Sequence, residues 1–428
     1  MTLVDHTLTT APAEQATVTE SWIFRVDGSG SMEVAIATIH AINRAFVLAE
    51  QKQKNDFLDA VYLQFLGSGL ATAEHTYRSE IIRGKIEYYH ETLKFGWANS
   101  AFDVKAVITR KNFWEIEDGL VALPLSNTNG TDVTSGLNIF NSNDEASSSP
   151  TDRVNYADID SADVVGDLPA PLKLEMTARA TLTDIILAMC NFGDATAIDH
   201  MVEVEDSLGV TTGSDTTCSG ASYGYLAFTD VVAKTVFSYV SSTNWSGLEA
   251  GRWYLPFLRL RTVPTIADLW SRIILSSGLS AYSQWVSYPA SGGPQMIQYP
   301  PVQHGMPRLS TFDQSFQIQF KTSTTGTKTI YGDYIYLLPL DGVRFYDVTL
   351  TKAAVGDILV DDPYDDVVTV EYASVSSGKQ MVRATGNPLL VDPREDARIY
   401  FVSPGSTAQV IDSVSMKAWY RPRRLAIL

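Results

Sequence analysis

The sequence predicts an all-β protein, mainly antiparallel β-sandwich or jelly-roll domains, with one long α-helix near its N-terminus. Three observations carry the prediction. Apolar and polar residues alternate with period two in segment after segment. Clusters of Gly, Asn, Ser and Asp separate these segments at short intervals, as turns between antiparallel strands require. Helical spacing of apolar residues occurs in a single stretch, residues 33–50.

In that stretch Ala35, Ile39, Ile42 and Phe46 recur at helical spacing, with Asn43, Arg44 and Glu50 off the apolar face. Ser31 is placed to cap the helix, and Glu33 sits in its first turn, where the helix dipole favours an anion. The polar run 51–56 ends it. The Ile39, Ile42 and Phe46 face is expected to pack on a β-sheet and to act in assembly. Farther on, Phe102, Val104, Ala106 and Ile108 share one strand face, with Asp103, Lys105 and Thr109 on the other. Phe316, Ile318 and Phe320 alternate with Gln317, Gln319 and Lys321, and Val414, Met416, Ala418 and Tyr420 alternate with Ser415, Lys417 and Trp419.

A chain of 428 residues is too long for one ordinary core. A Ser/Asp/Asn-rich stretch at 141–167 and an acidic stretch at 340–366 divide it into three expected β domains, 1–165, 166–345 and 346–428. The first stretch holds Asp144, Glu145, Asp152, Asp158, Asp160, Asp163 and Asp167, which lack the spacing of a calcium loop and read as a solvated segment. In the second, Asp361, Asp362, Asp365 and Asp366 surround Pro363.

The net charge of −17 opposes a nucleic-acid partner, since phosphate binding needs clustered cations. The one dense basic cluster, Arg421, Arg423 and Arg424, reads as a local ion-pair or assembly contact. Cys190 and Cys218 have no metal-finger spacing and read as two isolated thiols. The N-terminus has no signal-peptide pattern, and no apolar run approaches the roughly 18 residues of a membrane span. The six histidines (His6, His40, His75, His90, His200 and His304) are scattered, and no nucleophile elbow, phosphate loop or dinucleotide fingerprint occurs. The expectation is a protein that is not an enzyme and carries no cofactor, with a glycan-active surface protein, whose carboxylate pair sequence cannot show, as an alternative.

Two features invite a binding role. Asp27-Gly28-Ser29-Gly30-Ser31 resembles the metal-ion-dependent adhesion site of von Willebrand factor A domains, which holds Mg²⁺ through one carboxylate and two hydroxyls. That fold needs repeated βα units, whereas this chain gives strand after strand. Asp27, Ser29 and Ser31 are therefore read as a turn feeding a helix cap, with metal-dependent adhesion as the alternative. The second feature is a set of aromatic residues in turn-rich stretches: Trp245, Trp253, Trp285, Tyr288 and Tyr299. Aromatic faces stack on sugar rings, so these are candidate glycan or partner contacts, with burial in the core or at a subunit interface as the competing reading.

Arg78-Ser79-Glu80-Ile81-Ile82-Arg83-Gly84, Trp114-Glu115, Asn155-Tyr156 and Gly166-Asp167-Leu168-Pro169-Ala170-Pro171, with the helix before them, resemble the distal tail protein family of tailed bacteriophages. Gly251-Arg252-Trp253, Leu258-Arg259-Leu260-Arg261 and Asp333-Tyr334-Ile335-Tyr336-Leu337-Leu338-Pro339-Leu340-Asp341-Gly342 resemble a carbohydrate-binding-type jelly roll, and Trp419-Tyr420-Arg421-Pro422-Arg423 the last strand of a tail β domain. The resemblance implies a structural virion protein at the tail tip. Its helix would act as a belt in a homo-oligomeric ring, and its inserted sandwich would meet other virion proteins or a host-surface glycan.

Overall fold

The computed structural model describes residues 2–8, 16–27, 32–55, 57–68, 74–91, 101–142, 153–182, 184–191, 200–228, 234–240, 251–262, 269–276, 280–288, 293–303, 315–340, 342–348, 353–373, 378–404 and 413–425. The chain is an all-β sandwich protein with a single α-helix among these residues. It forms two compact units. Residues 1–121, 165–169 and 421–428 make the first; residues 122–164 and 170–420 make the second.

The first unit is a seven-stranded sheet crossed by helix α1 (Met32–Lys52). Its central strands, Thr17–Asp27, Ala101–Lys111 and Glu74–Glu91, are antiparallel neighbours. Period two puts Trp22, Phe24 and Val26 on the same face as Val104, Ala106 and Ile108. The helix lays Ala35, Ile39, Phe46 and Ala49 on that face, with Ile42 half-buried beside them. The Phe46 ring rests directly on Gly84, where any Cβ would stand 2.4 Å from its Cδ1 atom. On the same face Arg110 donates to both carboxylate oxygens of buried Glu20, at 2.6 and 2.9 Å, and stacks over Trp114 at 4.3 Å. Arg25 lies on the opposite face, exposed and paired with Asp103 at 2.9 Å. The basic C-terminal cluster is part of this unit: Arg423 pairs with Glu115 at 2.9 Å and stacks over Phe113 at 4.0 Å.

The second unit stacks four antiparallel sheets with three apolar cores between them. Sheet I orders Leu137–Phe140, Ser413–Tyr420, Ala170–Ala178, Ile358–Asp362, Val367–Glu371 and Lys379–Met381. Sheet II orders Arg383–Thr385, Val343–Asp347, Asp184–Asn191, Ala397–Val402, Tyr156–Ile159, Leu125–Asn127 and Gly130–Asp132. Sheet III orders Thr211–Ser214, Ser222–Phe228, Lys328–Pro339, Trp253–Thr262 and Gln295–Gln298. Sheet IV orders Lys234–Val240, Ser315–Thr322, Leu269–Ser276 and Ser280–Tyr282, with Val286–Tyr288 also on Leu269–Ser276.

Strands of the two middle sheets are buried on both faces, which makes them near-continuously apolar. In Asp184–Asn191, Ile185, Leu187 and Met189 face the core shared with sheet I. Ile186, Ala188 and Cys190 face the core shared with sheet III. Strand pairing cuts across the divisions expected at 165/166 and 345/346. The sandwich of sheets I and II uses strands from both 122–191 and 342–420, and the sandwich of sheets III and IV is inserted between them, from about residue 200 to 340. Residues 346–420, expected as a separate domain, supply strands to sheets I and II instead. A period-two pattern identifies a strand's faces but not its partner, so the sequence could not show this return.

Several acidic residues of the two expected boundary segments are held by partners. Asp158 accepts two hydrogen bonds from Arg398, and Asp160 caps a 3-10 turn through the Ala162 N–H. Asp361 accepts from Arg344 and from the Tyr346 hydroxyl, and Asp362 pairs with Lys173. Asp144, Glu145 and Asp152 lie outside the described residues.

Candidate functional site

Sheet IV closes the stack on one side, so one of its faces is core and the other is surface. Phe316, Ile318 and Phe320 point inward with Leu269, Ile273 and Leu275 of the neighbouring strand. Alternation therefore sends Gln317, Gln319 and Lys321 outward with Trp270 and Arg272. The antiparallel register sets Trp270 opposite Lys321 and Arg272 opposite Gln319.

These side chains form a connected surface. Arg272 donates to Gln319 Oε1 from Nε at 3.1 Å and from Nη2 at 2.9 Å. Gln319 Nε2 donates to Thr235 Oγ1, which donates on to Gln317 Oε1, each at 3.3 Å. Trp285, immediately before the Val286–Tyr288 strand, receives Lys321 Nζ at 4.1 Å and Arg272 Cζ at 4.5 Å from its ring centroid. Lys321 Nζ is also 5.6 Å from the Trp270 ring. Each of these cation–ring contacts contributes about 0.5–1 kcal/mol at a partly exposed site. Trp270, Arg272, Trp285, Gln317, Gln319 and Lys321 are all partly exposed. The described residues of this face include two cations and no carboxylate, in a chain whose net charge is −17.

Of the aromatic residues singled out from sequence, Trp285 belongs to this surface. Trp253 opens its strand of sheet III at 49% exposure, away from the others. Tyr299 is a correction. It is 1% exposed in the core between sheets III and IV, and its hydroxyl shares a 2.8 Å hydrogen bond with buried Ser271. Turn residues flank it, but its ring fills the core, as a sandwich this size requires. Trp245 and the side chain of Tyr288 lie outside the described residues, as do Gly28 to Ser31 and the Asp27 side chain. Among the described residues no group of three or more His, Cys, Asp or Glu is placed to hold a metal ion.

Cys190 and Cys218 are buried and are not joined in a disulfide. His200 is fully buried, 4.7 Å from the Tyr400 ring and 5.6 Å from the Tyr254 ring, while His40 is exposed on α1. Among the described residues, no helix is long and apolar enough to cross a membrane. Sequence reasoning missed Trp270, Arg272 and Lys321 as a group. The available signal was the outward half of the Phe316–Phe320 alternation, but only strand register joins it to Trp270 and Trp285.

No family model matches the chain, and no curated protein matches it. Among solved structures it is similar to a family 35 carbohydrate binding module from Clostridium thermocellum, at 14% identity and a TM-score of 0.21, covering 32% of this chain and 97% of that one. It is similar to the tripod from the baseplate of bacteriophage Tuc2009, at 12% identity and a TM-score of 0.21, covering 48% and 98%. An exo-beta-1,3-galactanase from Phanerochaete chrysosporium is similar at 11% identity and a TM-score of 0.23, covering 65% and 69%. At these TM-scores the likeness carries no argument. The all-β assignment rests on the strands themselves.

Proposed function

We propose that this chain is a structural virion protein of a tailed bacteriophage or phage-like particle, a tail-tip component that oligomerises and contacts a host-surface glycan through the outer face of sheet IV. The role is binding and assembly, not catalysis. The observation that carries it is the Trp270/Trp285/Arg272/Lys321 surface. It combines ring faces for the apolar side of a sugar with a polar network of Gln and Thr side chains. Its cations favour an acidic glycan. The virion setting is supported by the resemblance of the N-terminal segments to distal tail proteins. Assembly is supported by helix α1, which keeps Val34, Ile36, Val47 and Leu48 exposed along the two flanks of its packed stripe.

Two measurements test the reading. Native mass spectrometry of the full chain should show a closed homo-oligomer; a monomer at all concentrations refutes the assembly half. A glycan array should retain acidic oligosaccharides, and Trp285→Ala should weaken that retention while leaving the melting temperature within the range of a surface substitution. Retention unchanged by Trp285→Ala refutes the assignment of this face.

A further inference from the structure

Sheet III carries a second aromatic surface, on the face that elsewhere packs against sheet II. Tyr223 and Tyr225 are two apart on the Ser222–Phe228 strand and so share a face, and the register sets Tyr225 opposite Tyr331. The three ring centroids are separated by 5.6 Å (Tyr225–Tyr331), 6.0 Å (Tyr223–Tyr331) and 6.1 Å (Tyr223–Tyr225). The Tyr225–Tyr331 and Tyr223–Tyr225 planes are tilted by 35° and 39°, and Tyr223 meets Tyr331 edge-on at 62°, so the three rings form a compact triangular cluster. All three tyrosines remain partly exposed, whereas Tyr334 and Tyr336, farther along the same strand as Tyr331, are buried against sheet II.

Tyr223 is held from two sides. On one, a Cβ on Gly213 would stand 2.4 Å from Tyr223 Cζ, so the ring lies across the adjacent strand at a position that only glycine leaves open. On the other, the Arg261 guanidinium stacks on Tyr223 at 4.4 Å and reaches Tyr331 at 6.0 Å. Arg261 Nε donates to Asp215 Oδ2 at 2.5 Å. Asp215 also accepts from the Thr217 N–H and hydroxyl, at 2.9 and 2.8 Å. The Thr217 N–H first, and then Arg261, hold the Asp215 carboxyl down at about 2, against the opposing effect of burial. The pair therefore stays ionised and mutually neutralised over the working pH range.

This charge pattern narrows the ligand. A cationic ligand meets Arg261 already seated on the Tyr223 ring, and an anionic one meets a guanidinium whose charge Asp215 has matched. A neutral ligand with an apolar face and peripheral hydroxyls fits the Tyr225 and Tyr331 rings, bordered by the paired donor and acceptor at Tyr223. We propose that the Tyr223/Tyr225/Tyr331 cluster is a second binding site, specific for a neutral oligosaccharide, one sugar of which stacks on the Tyr225 and Tyr331 rings while Tyr223 and Arg261 form its wall. It is separate from the sheet IV face in residues and in ligand charge, and it stands whether or not that face binds glycan.

The test is isothermal titration of the full chain with two neutral probes, linear hexasaccharides of glucose and of galactose, and with a hexasaccharide of galacturonic acid as the acidic control. A neutral probe should bind, with an affinity that changes less than twofold between about 0.05 and 0.5 M salt, because no ion pair forms across the contact. Tyr225→Ala should weaken it about tenfold or more, a stacking contribution removed. Tyr225→Leu keeps the apolar volume of the site and guards against a folding defect; it should weaken binding comparably, Tyr225→Phe should retain it, and Trp285→Ala should leave it unchanged. The proposal is overturned if neither neutral probe binds, if binding survives Tyr225→Leu in a folded protein, or if only the acidic probe binds at this cluster.

Discussion

Gly84→Ala should destabilise the first unit, although alanine is ordinarily the better strand residue by about 0.5–1 kcal/mol. The reason is the Phe46 ring, three of whose carbons stand 2.4–2.7 Å from where the new Cβ would be. Carbon–carbon contacts relax near 3.5–4.0 Å, so the ring must retreat by about 1 Å or helix α1 must lift from the sheet. Overpacking of this kind costs about 1–3 kcal/mol, which outweighs the gain in backbone entropy and leaves a net loss of about 1–2 kcal/mol. Phe46→Leu shortens the side chain and should cost stability alone, but in the Gly84→Ala background it relieves the clash. The double variant should be more stable than the sum of the single losses by at least about 0.5 kcal/mol. Urea unfolding followed by helical circular dichroism reads this directly, because α1 is the single α-helix among the described residues. A neutral or stabilising Gly84→Ala, or strictly additive losses, would refute this account of how the helix is seated.

Three further outcomes follow from buried or paired polar groups. Tyr299→Phe leaves the buried Ser271 hydroxyl without its 2.8 Å partner and should cost about 1–2 kcal/mol in chemical denaturation, with no effect on glycan retention by the sheet IV face. Asp215→Asn should cost about 1 kcal/mol at neutral pH. Because the folded carboxyl titrates below its ordinary value, the stability it adds is present above that value and vanishes as pH falls towards about 2, so parent and variant melting curves should converge in acid. Arg259→Met removes the cation beside fully buried Asp333, whose carboxyl burial already pushes up to about 7 against the pull of Arg259. The loss should reach about 3–5 kcal/mol. It should grow as pH rises above the ordinary carboxyl value, since the unfolded chain ionises first, and Arg259→Met/Asp333→Leu should recover much of it.

Much of the architecture was legible because its outer sheets obey simple periodicities. The helical stripe from Ala35 to Phe46 marks α1, and the alternations around Phe316–Phe320 and Val414–Tyr420 give both the strands and their inward faces. The inner sheets were harder to read. Segments such as Asp184–Asn191 and Ala397–Val402 are covered on both sides, so alternation disappears where burial is greatest. Long-range pairing was invisible for a different reason: nothing in Ile358–Asp362 signals that it lies beside Ala170–Ala178. The candidate site shares that difficulty. Trp285 stood out by composition, but Lys321 joins it only through a register between distant strands. Tyr299 shows the converse, an aromatic residue in turn-rich sequence whose ring nonetheless belongs to the core.

The most direct test of the central claim is calorimetric titration of the intact chain with the acidic oligosaccharide best retained on the array, comparing parent, Lys321→Ala and Trp285→Ala. The account predicts saturable binding by the parent that weakens with added salt. Lys321→Ala should lower affinity and flatten the salt dependence, and Trp285→Ala should lower affinity about tenfold without altering that dependence. Equal affinities for all three folded proteins, or no acidic-glycan binding by the parent at any salt concentration, would contradict it.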